Sequence, residues 1–394
     1  MHYVIIGNSA ASVAAIEAIR KIDLVGHITV ISDEPYHTYS RPMISHYLEG
    51  KTTKERMVFR AMDFYERYQV QAMLGVKAVE ITKSTVILED GREVSYDKLL
   101  LATGSVPFIP PIKGLNQQDN VFTFTKFDDA RALEQAVLPN AKVVVVGAGL
   151  IGLKAAEGLV RFTNDITVVE LSDRILASIL DAKSASMVQN HLTQKGLKIH
   201  VQNAVKEVSG DGKVQKVILQ DGQEIACDIL IIAIGVRPNV ALANTVGIKV
   251  NRGIAVNEWL QTSIENIYAA GDCTEIIDVS DGVQKVLALW PNAMQQGEIA
   301  GTNIAGGQAS FHGGFPMNAI SFFGMRIVTA GVINPNDTTH EVIYDTHETN
   351  FKKIVLLDDC LVGYILINDI KRASFFNTLI RDKVKISSLT EKII

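Results

Sequence analysis

The chain opens with a pattern of hydrophobic and polar positions that occurs twice. At residues 3–7 the run YVIIG predicts a buried strand that ends at a glycine, and a helical pattern over about 10–22 leads to a second strand at 27–32. The same order begins again with KVVVVG at 142–147, followed by a helix and the strand DITVVE at 165–170. Two strand–turn–helix–strand units about 140 residues apart indicate a duplicated architecture rather than a short repeat.

Other parts of the chain show antiparallel patterns. Asp–Gly pairs separate strand-like runs and predict tight hairpins. In the C-terminal part, strand-like runs at 320–333 and 351–367 precede a helical pattern from about Asp369, which predicts a third, smaller domain. The Asp–Gly pairs stand at 90–91, 211–212 and 221–222.

Composition narrows the class of protein. The chain has 394 residues and a formal net charge of −5, and this negative balance argues against nucleic acid as the main partner. The three cysteines, Cys227, Cys273 and Cys360, form no disulfide framework and no metal or iron–sulfur ligand set, which favours a reducing cytoplasm. No apolar run approaches the ~20 residues of a membrane span, and a strand pattern rather than a signal peptide follows Met1. We therefore expect a cytoplasmic protein without a membrane partner.

The glycine turn after the four valines carries the strongest chemical signal. In its G-x-G-x-x-G pattern the glycines permit a tight turn, let the backbone approach a pyrophosphate and let the helix pack on the strand. The helix N-terminus supplies N–H groups for phosphates, and an acid at the end of the next strand binds ribose hydroxyls. The alternative is a turn whose glycines serve packing only. The predicted dinucleotide-binding residues are Gly147, Gly149, Leu150, Ile151, Gly152 and Glu170.

The turn after the first strand keeps one glycine of three. Gly7 remains, and Ser9 and Ser12 stand where the other two would be. Serine is small enough for close approach, and its hydroxyl can itself bond phosphate. Ser32 occupies the usual place of the strand-end acid, with two acidic residues after it. Alone, this turn is equally consistent with an ordinary βαβ unit. The candidate residues are Gly7, Ser9, Ala10, Ala11, Asp33 and Glu34.

Further segments resemble the two-dinucleotide flavoprotein reductases. The matching segments are 31–36 with 39–42 (FAD ribose and pyrophosphate), 99–104 (the ATG strand that closes the FAD domain), 229–239 (the equivalent NAD-domain strand), 267–272 (the second FAD fingerprint, whose Asp bonds the ribityl chain) and 290–307 (the helix facing the flavin pyrimidine). The dipole of that helix would stabilise the reduced flavin. The resemblance adds Arg41, Pro42, Ala102, Thr103, Gly104, Gly271, Asp272 and Trp290 to the FAD site and Gly235 to the NAD site.

The similarity covers nearly the whole chain in the right order. It points to the NADH:rubredoxin and ferredoxin reductases and the flavin domain of NADH-dependent nitrite reductase, and more narrowly to reductases that serve carbon monoxide dehydrogenase-linked ferredoxins. It implies an α/β fold with two Rossmann-like domains, the NAD domain inserted in the FAD domain, and a small α+β C-terminal domain. The expected boundaries are 1–112 with 246–320 for FAD, 113–245 for NAD and 321–394 for the C-terminal domain.

The implied function is an FAD-dependent NADH:acceptor oxidoreductase. NADH would pass hydride to the flavin, and electrons would leave singly to a ferredoxin or rubredoxin, or run in reverse. Two alternatives stay open: an NADH oxidase lacking the redox cysteine, and an NAD/FAD-binding sensor or interaction protein that kept the fold. Residues 36–50 contain no cysteine, where disulfide reductases carry two and related oxidases one. A homodimer is a candidate assembly.

Two departures from the family pattern concern catalysis. Many ferredoxin reductases carry a Lys close to flavin N5 after the Arg–Pro segment and a Glu two residues after the third glycine of the NAD turn. This chain has His46 and Lys154 at those positions, which makes them candidate catalytic residues near the flavin and the nicotinamide. The alternative is that His46 packs in a polar pocket and that Lys154 is solvated at a helix start.

The C-terminal tail differs in charge from the rest of the chain. Residues 361–394 contain six basic and three acidic groups. Because ferredoxins and rubredoxins are usually acidic, we expect such a partner to dock where the C-terminal domain meets the flavin edge. The alternative is an ordinary solvated helix face.

Overall fold

The computed structural model describes residues 1–335, 337–347 and 349–389. The chain forms two compact units. Unit 1 comprises Met1–Arg41, Lys54–Val106 and Arg237–Phe315; unit 2 comprises Pro42–Thr53, Pro107–Val236 and the described residues from Pro316 onward. The chain passes between the units five times: at the 3₁₀ turn Arg41–Met43, between Thr53 and Lys54, at the short strands Ser105–Pro107 and Val236–Pro238, and between Phe315 and Pro316.

Unit 1 is built on a five-stranded parallel sheet, called here the first sheet. Its central strand, His2–Ile6, pairs in register with both neighbours, so that Val4 lies opposite Thr29 on one side and Leu99 on the other. These strands read as apolar runs because both faces of a parallel sheet are covered. In spatial order the strands are Ile267–Ala269, Lys98–Leu101, His2–Ile6, His27–Ser32 and Val70–Leu74.

Two helices of unit 1 approach each other backbone to backbone. The helices are Ala10–Ile22 and Trp290–Ile304. A Cβ placed on Gly297 would lie 2.1 Å from the carbonyl oxygen of Ala11, and one on Gly301 would lie 2.5 Å from that of Ala15. Only glycine fits at such a distance, so the sequence of the second helix fixes how closely it covers the first.

The remaining elements of unit 1 are short. The predicted hairpin at Asp90–Gly91 is confirmed, because it joins the antiparallel strands Thr85–Leu88 and Glu93–Ser95. The other elements are strands Ala78–Ile81, Ile254–Ala255, Thr274–Ile277 and Gln284–Lys285, helices Phe64–Arg67 and Ala241–Thr245, and the 3₁₀ turn Lys54–Met57.

Unit 2 contains a second five-stranded parallel sheet, called here the second sheet. In spatial order its strands are Lys198–His200, Ile166–Val169, Val143–Val146, Ile229–Ile232 and Val121–Phe122. Its helices are Phe127–Ala136, Leu150–Leu159 and Ala182–Gln194, and the unit also contains helix Ile44–Leu48 and the 3₁₀ turn Leu115–Gln117. The hairpins predicted at 211–212 and 221–222 are confirmed, since they join the antiparallel strands Val205–Gly210, Val214–Leu219 and Glu224–Ala226.

The C-terminal part of unit 2 is an antiparallel sheet with one helix, called here the C-terminal sheet. Its strands, in spatial order, are Met317–Phe322, Met325–Gly331, Cys360–Ile367, Asn350–Leu357 and Glu341–His347. Helix Ala373–Asp382 packs against it through Phe376 and Tyr364, both fully buried, and the 3₁₀ turn Ile386–Ser388 follows. The helix predicted from about Asp369 therefore begins at Ala373.

The predicted fold class is confirmed. Every strand of the second sheet falls in sequence between strands Lys98–Leu101 and Ile267–Ala269 of the first sheet, as an inserted domain requires, and the C-terminal sheet follows both. The boundaries of the three expected domains stay a prediction. None of the described helices has the length and apolarity to cross a membrane.

We expect Gly297→Ala to lower the free energy of unfolding by about 1–3 kcal/mol, because the added methyl group would force the two packed helices of unit 1 apart. Urea unfolding followed by circular dichroism measures the change. Glu298→Ala is the matched control: that side chain is 58% exposed on the same helix, and its removal should stay within about 0.5 kcal/mol. Equal stability of the two variants would show that the close approach is not required.

Candidate functional site

The first glycine turn touches the end of a neighbouring strand. Gly7 has φ +120°, and a Cβ there would lie 2.1 Å from the carbonyl oxygen of Ala102. Ser9 precedes helix Ala10–Ile22, and the side chains of Ala10 and Ala11 are buried. These residues would therefore offer a ligand their backbone N–H groups, which a helix leaves unpaired in its first turn.

One expectation for this turn needs correction. Ser12 is 1% exposed, and its Oγ has no hydrogen-bond partner among the described residues and no access to solvent. Its buried hydroxyl is therefore not exposed to a phosphate in this structure.

Two further predicted FAD segments lie in unit 1. Thr103 Oγ1 donates to the carbonyl oxygen of Asn239 at 2.6 Å, and a Cβ on Gly104 would meet open space. Ser105 Oγ donates to Asp272 Oδ2 at 3.3 Å. Burial raises the pKa of Asp272, against the opposing effects of the Ser105 hydrogen bond and the positive charge of Arg41. A ligand hydroxyl that donates to this carboxylate would favour its charged form and so offset the effect of burial.

Helix Trp290–Ile304 contacts the turn that carries Asp272. Gln296 Oε1 accepts the Gly271 backbone N–H at 2.9 Å, which fixes the turn that carries Asp272. The Trp290 ring meets Phe59 edge to face at 4.8 Å between centroids. This contact orients the indole at the helix start.

The acidic residues after strand His27–Ser32 differ in role. Glu34 is buried, and its carboxylate accepts a hydrogen bond from Tyr39 at 2.6 Å and another from Arg41. Asp33 is exposed. Glu34 therefore positions Arg41, whereas Asp33 is the more accessible of the two carboxylates. Pro42 is exposed and belongs to unit 2.

The second glycine turn lies in unit 2 and separates packing from ligand approach. A Cβ on Gly147, which has φ +105°, would lie 2.4 Å from the Ala233 carbonyl oxygen, and one on Gly152 would lie 2.0 Å from that of Gly147. A Cβ on Gly149 or on Gly235 would meet nothing within 4 Å. Packing explains the first pair of glycines but not the second, so Gly149 and Gly235 border open space where a ligand could approach.

Glu170 is held across this turn. Its Oε2 accepts the Ala148 N–H at 2.7 Å, and its Oε1 accepts the Ser172 N–H at 2.8 Å. Leu150 and Ile151, half-buried, form the first helical turn beside it. The carboxylate, the open glycine and the helix start thus lie together, as binding of a ribose and a pyrophosphate requires. The arrangement of carboxylate, glycine turn and helix start is therefore one that fits a dinucleotide at both turns.

Lys154 is neither solvated nor alone. Its side chain is 19% exposed, and its Nζ lies 2.6 Å from Glu157 Oε2 and 3.9 Å from Glu49 Oε1. The expectation of a solvated lysine is therefore wrong. His46 is exposed on helix Ile44–Leu48 rather than packed in a polar pocket, so that alternative is also wrong. The catalytic role of both residues stays a prediction.

Sequence reasoning missed the carboxylates around Lys154. Glu157 is buried, and its second oxygen accepts the backbone N–H of Phe323 at 2.6 Å. Glu49 also pairs with Lys51, and the hydrogen bond to Glu49 raises the pKa of that lysine. The spacing of Lys154 and Glu157, three residues apart on one helix, was the available signal. Nothing in the sequence indicated that Glu49 or Phe323 would join them.

Two of the three cysteines, Cys227 and Cys273, are buried where a thiolate is disfavoured. Burial raises the pKa of Cys227 to about 12 and also raises the pKa of Cys273. Both are fully buried, and Cys360 is half-exposed. Because the thiolate is the reactive form, a redox role for Cys273 beside Asp272 has no support from its surroundings.

Comparisons with known proteins agree with this geometry. The family model described as pyridine nucleotide-disulphide oxidoreductase matches residues 1–297, and that of the rubredoxin NAD+ reductase C-terminal domain matches 316–384. The assimilatory nitrate reductase electron transfer subunit of Bacillus subtilis is 34% identical over 371 residues, 93% of this chain and 47% of the relative. The chain thus spans about half the length of that relative.

Two other relatives are closer in length. The epsilon subunit of NADH-dependent phenylglyoxylate dehydrogenase from Aromatoleum evansii is 31% identical over 398 residues, covering 100% of this chain and 94% of the relative. An NADH oxidase from Methanocaldococcus jannaschii is 37% identical over 323 residues, covering 79% of this chain and 72% of the relative.

Solved structures show the same fold. An NAD-dependent persulfide reductase from A. fulgidus superposes with a TM-score of 0.89 at 28% identity, covering 100% of this chain and 79% of the other. A ferredoxin reductase from Rhodopseudomonas palustris superposes with a TM-score of 0.89 at 25% identity, covering 98% and 96%. Members of the matched family are FAD-dependent NAD(P)H oxidoreductases, so the predicted enzyme class and the cofactors FAD and NAD(H) are confirmed at the level of the family. The chain belongs to the pyridine nucleotide-disulphide oxidoreductase family.

Proposed function

We propose that this protein is an FAD-dependent oxidoreductase that passes electrons between NAD(H) and an iron–sulfur protein, either a ferredoxin or a rubredoxin. The observation that carries the proposal is a pair of glycine turns, each with a carboxylate beside it, in a chain that has no cysteine at 36–50 and whose Cys227 and Cys273 are buried. Electrons that enter as hydride then have no accessible cysteine at either glycine turn to receive them and need an external acceptor.

In this proposal unit 1 holds FAD. The N–H groups at the start of helix Ala10–Ile22 would bind the pyrophosphate, and Asp272 would accept a hydroxyl of the ribityl chain. Bound FAD supplies the conversion of a hydride into single electrons. The protein's own contribution is to orient it through Arg41, Thr103 and the start of helix Trp290–Ile304.

Unit 2 holds NAD(H), with NADH preferred over NADPH. Glu170 would bond the ribose hydroxyls and repel a 2′-phosphate. Arg174, the nearest cation in sequence, donates from Nη1 to Asp173 at 2.6 Å and from Nε to the Leu180 carbonyl oxygen at 3.4 Å. Because its guanidinium is committed within its own loop, it is poorly placed to recruit the extra phosphate.

The C-terminal sheet indicates the class of the electron acceptor. Its match to the rubredoxin NAD+ reductase C-terminal domain and the likeness to a ferredoxin reductase support a small iron–sulfur partner. The described basic residues of the tail are all exposed, and Phe375 on helix Ala373–Asp382 is 43% exposed. Lys392 and Glu391 lie outside the described residues. The basic residues are Lys371, Arg372, Arg381, Lys383 and Lys385.

One alternative has an observation of its own. The Methanocaldococcus jannaschii relative is named NADH oxidase, which favours oxygen as a second candidate acceptor. Anaerobic mixing with NADH tests the flavin first, because its rapid bleaching excludes a sensor. The reduced protein is then mixed in separate experiments with ferredoxin, rubredoxin or oxygen, and faster reduction of an iron–sulfur protein than of oxygen supports the reductase. Slow reduction of both iron–sulfur proteins beside fast consumption of oxygen would favour the oxidase.

The finer parts of the proposal concern assembly and location. Three cysteines without disulfides suit a reducing cytoplasm, without a membrane partner. A homodimer is the proposed assembly, and analytical ultracentrifugation tests it. The link to carbon monoxide dehydrogenase stays a prediction, which capture of the iron–sulfur partner in cell extracts would test.

Asp272→Ala should weaken FAD binding about 10- to 100-fold, because a hydrogen bond to a charged group contributes about 1.5–3 kcal/mol. Titration of the apoprotein with FAD, followed by flavin fluorescence, measures the affinity. Asp281→Ala is the control, since that carboxylate lies on a surface turn paired with Lys285. A colourless wild-type protein that cannot be reconstituted with FAD would end this proposal.

The wild-type protein should have a higher kcat/KM with NADH than with NADPH. Glu170→Ala should lower kcat/KM for NADH about 10- to 100-fold and so reduce the difference between the two donors. The reason is the loss of the carboxylate that bonds the ribose. Steady-state reduction of a dye measures both values. Glu224→Ala, an exposed carboxylate paired with Lys216, should change neither. Equal kcat/KM for the two donors in the wild type would contradict the assignment.

Replacing both Lys371 and Arg372 with Glu should slow reduction of ferredoxin or rubredoxin about tenfold at low salt and spare a small neutral dye. Steered association also weakens as the Debye length falls from ~30 Å at 0.01 M to ~10 Å at 0.1 M salt. The matched control replaces Lys249 and Arg252, both exposed, with Glu and makes the same change in charge. If both double variants reduce the protein acceptor equally fast, the tail is not the docking site.

A further inference from the structure

The loop that follows Glu170 is fixed at both ends. Residues 170–181 lead from strand Ile166–Val169 to helix Ala182–Gln194. At the start of the loop Glu170 accepts the N–H groups of Ala148 and Ser172, and in its middle the Leu176 N–H donates to the Ala148 carbonyl oxygen at 2.9 Å. The loop is therefore bonded directly to the glycine turn of the second sheet.

The end of the loop is held by a buried ion pair from the C-terminal sheet. Lys353 Nζ lies 3.1 Å from Asp181 Oδ2, and the side chains are 4% and 9% exposed. Tyr344 donates its hydroxyl to the same oxygen at 3.1 Å. Asp181 also begins the next helix by accepting the Ser184 N–H at 2.9 Å. Although burial alone would raise it, the pKa of Asp181 is lowered by Ser184 and Lys353.

A second contact from the C-terminal sheet reaches the neighbouring residue. Asn334 Nδ2 donates to the Leu180 carbonyl oxygen at 3.1 Å, and Asn334 Oδ1 accepts from Lys353 Nζ at 3.3 Å. The same carbonyl accepts from Arg174 Nε. Lys353 thus bonds Asp181 directly. It also bonds Asn334, which in turn donates to the Leu180 carbonyl oxygen.

A buried ion pair of this kind adds little net stability. The free energy of desolvating an ammonium and a carboxylate is about as large as the energy of their attraction, and apolar replacements are often as stable. What a buried pair does provide is a single arrangement, because removing one partner leaves a buried charge. The arrangement fixed here is that of the loop carrying Glu170.

We propose that Lys353 is a positioning residue for NAD(H). Through Asp181 and Asn334 it fixes the 170–181 loop, so the C-terminal sheet sets the affinity for the adenosine half of the dinucleotide. The inference rests on the proposed binding of NAD(H) at the second glycine turn. It adds a role for the C-terminal sheet that is separate from docking an electron acceptor.

The test is Lys353→Met in the full chain with FAD bound. The KM for NADH and the Kd for ADP-ribose, which keeps the adenosine and the pyrophosphate but lacks the nicotinamide, should each rise by about tenfold or more, while kcat changes less than about twofold. Flavin content should be unchanged. Lys352→Met is the matched control: that lysine is the next residue on the strand and pairs with Asp345 instead, and neither constant should move.

Further variants separate positioning from a loss of folding. Lys353→Arg keeps the charge and should recover most of the affinity for ADP-ribose. Should Lys353→Met not fold, Asn334→Ala removes the hydrogen bond to Leu180 and the one from Lys353, keeps the Lys353–Asp181 pair, and should still raise the Kd for ADP-ribose about two- to tenfold. A lower melting temperature with an unchanged Kd for ADP-ribose would overturn the inference. Failure of the wild-type protein to bind ADP-ribose would overturn the proposed NAD(H) site itself, and this inference with it.

Discussion

Each unit depends on one contact between a glycine and the carbonyl oxygen that ends a neighbouring strand. The distance from an added Cβ to that oxygen would be 2.1 Å for Gly7 and Ala102, and 2.4 Å for Gly147 and Ala233. No side chain fits, and both glycines have a positive φ that other residues rarely adopt. Strand, turn and following helix can therefore lie close enough for the helix start to face the edge where the strands end, which is where ligands of such sheets bind.

Much of the fold could be predicted from the sequence, because fully buried parallel strands read as apolar runs and glycine turns follow them. Strand Glu341–His347 could not. It lies at the edge of the C-terminal sheet, and none of its residues is fully buried. Its polar and apolar residues do not alternate, so the period-2 pattern of a strand is missing. The 3₁₀ turn and short helix over residues 41–48 were also beyond prediction, since five helical residues are too few for a periodicity.

The residues of the candidate site also divide into those that the sequence could predict and those that it could not. The residues around Gly147 and Glu170 follow one another at a spacing fixed by local geometry, so the sequence carries the signal. The role of Ser12 could not be predicted, because a small side chain at that position serves packing just as well as phosphate binding. Only its burial in the structure distinguishes the two roles. The distant partners of Lys154 and Glu157 were missed for a different reason. Glu49, near Lys154, and Phe323, which donates to Glu157, are more than a hundred residues away in sequence, and only the tertiary fold brings them into contact.

Two buried carboxylates bind the second sheet and its helices to the C-terminal sheet within unit 2. Glu157 accepts the Phe323 N–H beside Lys154, and Asp181 accepts from Tyr344 and Lys353. The buried Asp181–Lys353 pair contributes little net stability but penalises every other arrangement, because separation leaves a charge without a partner. Loss of the Phe323 contact would leave a partly buried N–H group unsatisfied, although Glu157 would keep Lys154. Both carboxylates lie on elements that begin at the glycine turn or at the strand end carrying Glu170. A sheet that has no dinucleotide turn of its own therefore still constrains the turn where a dinucleotide would bind.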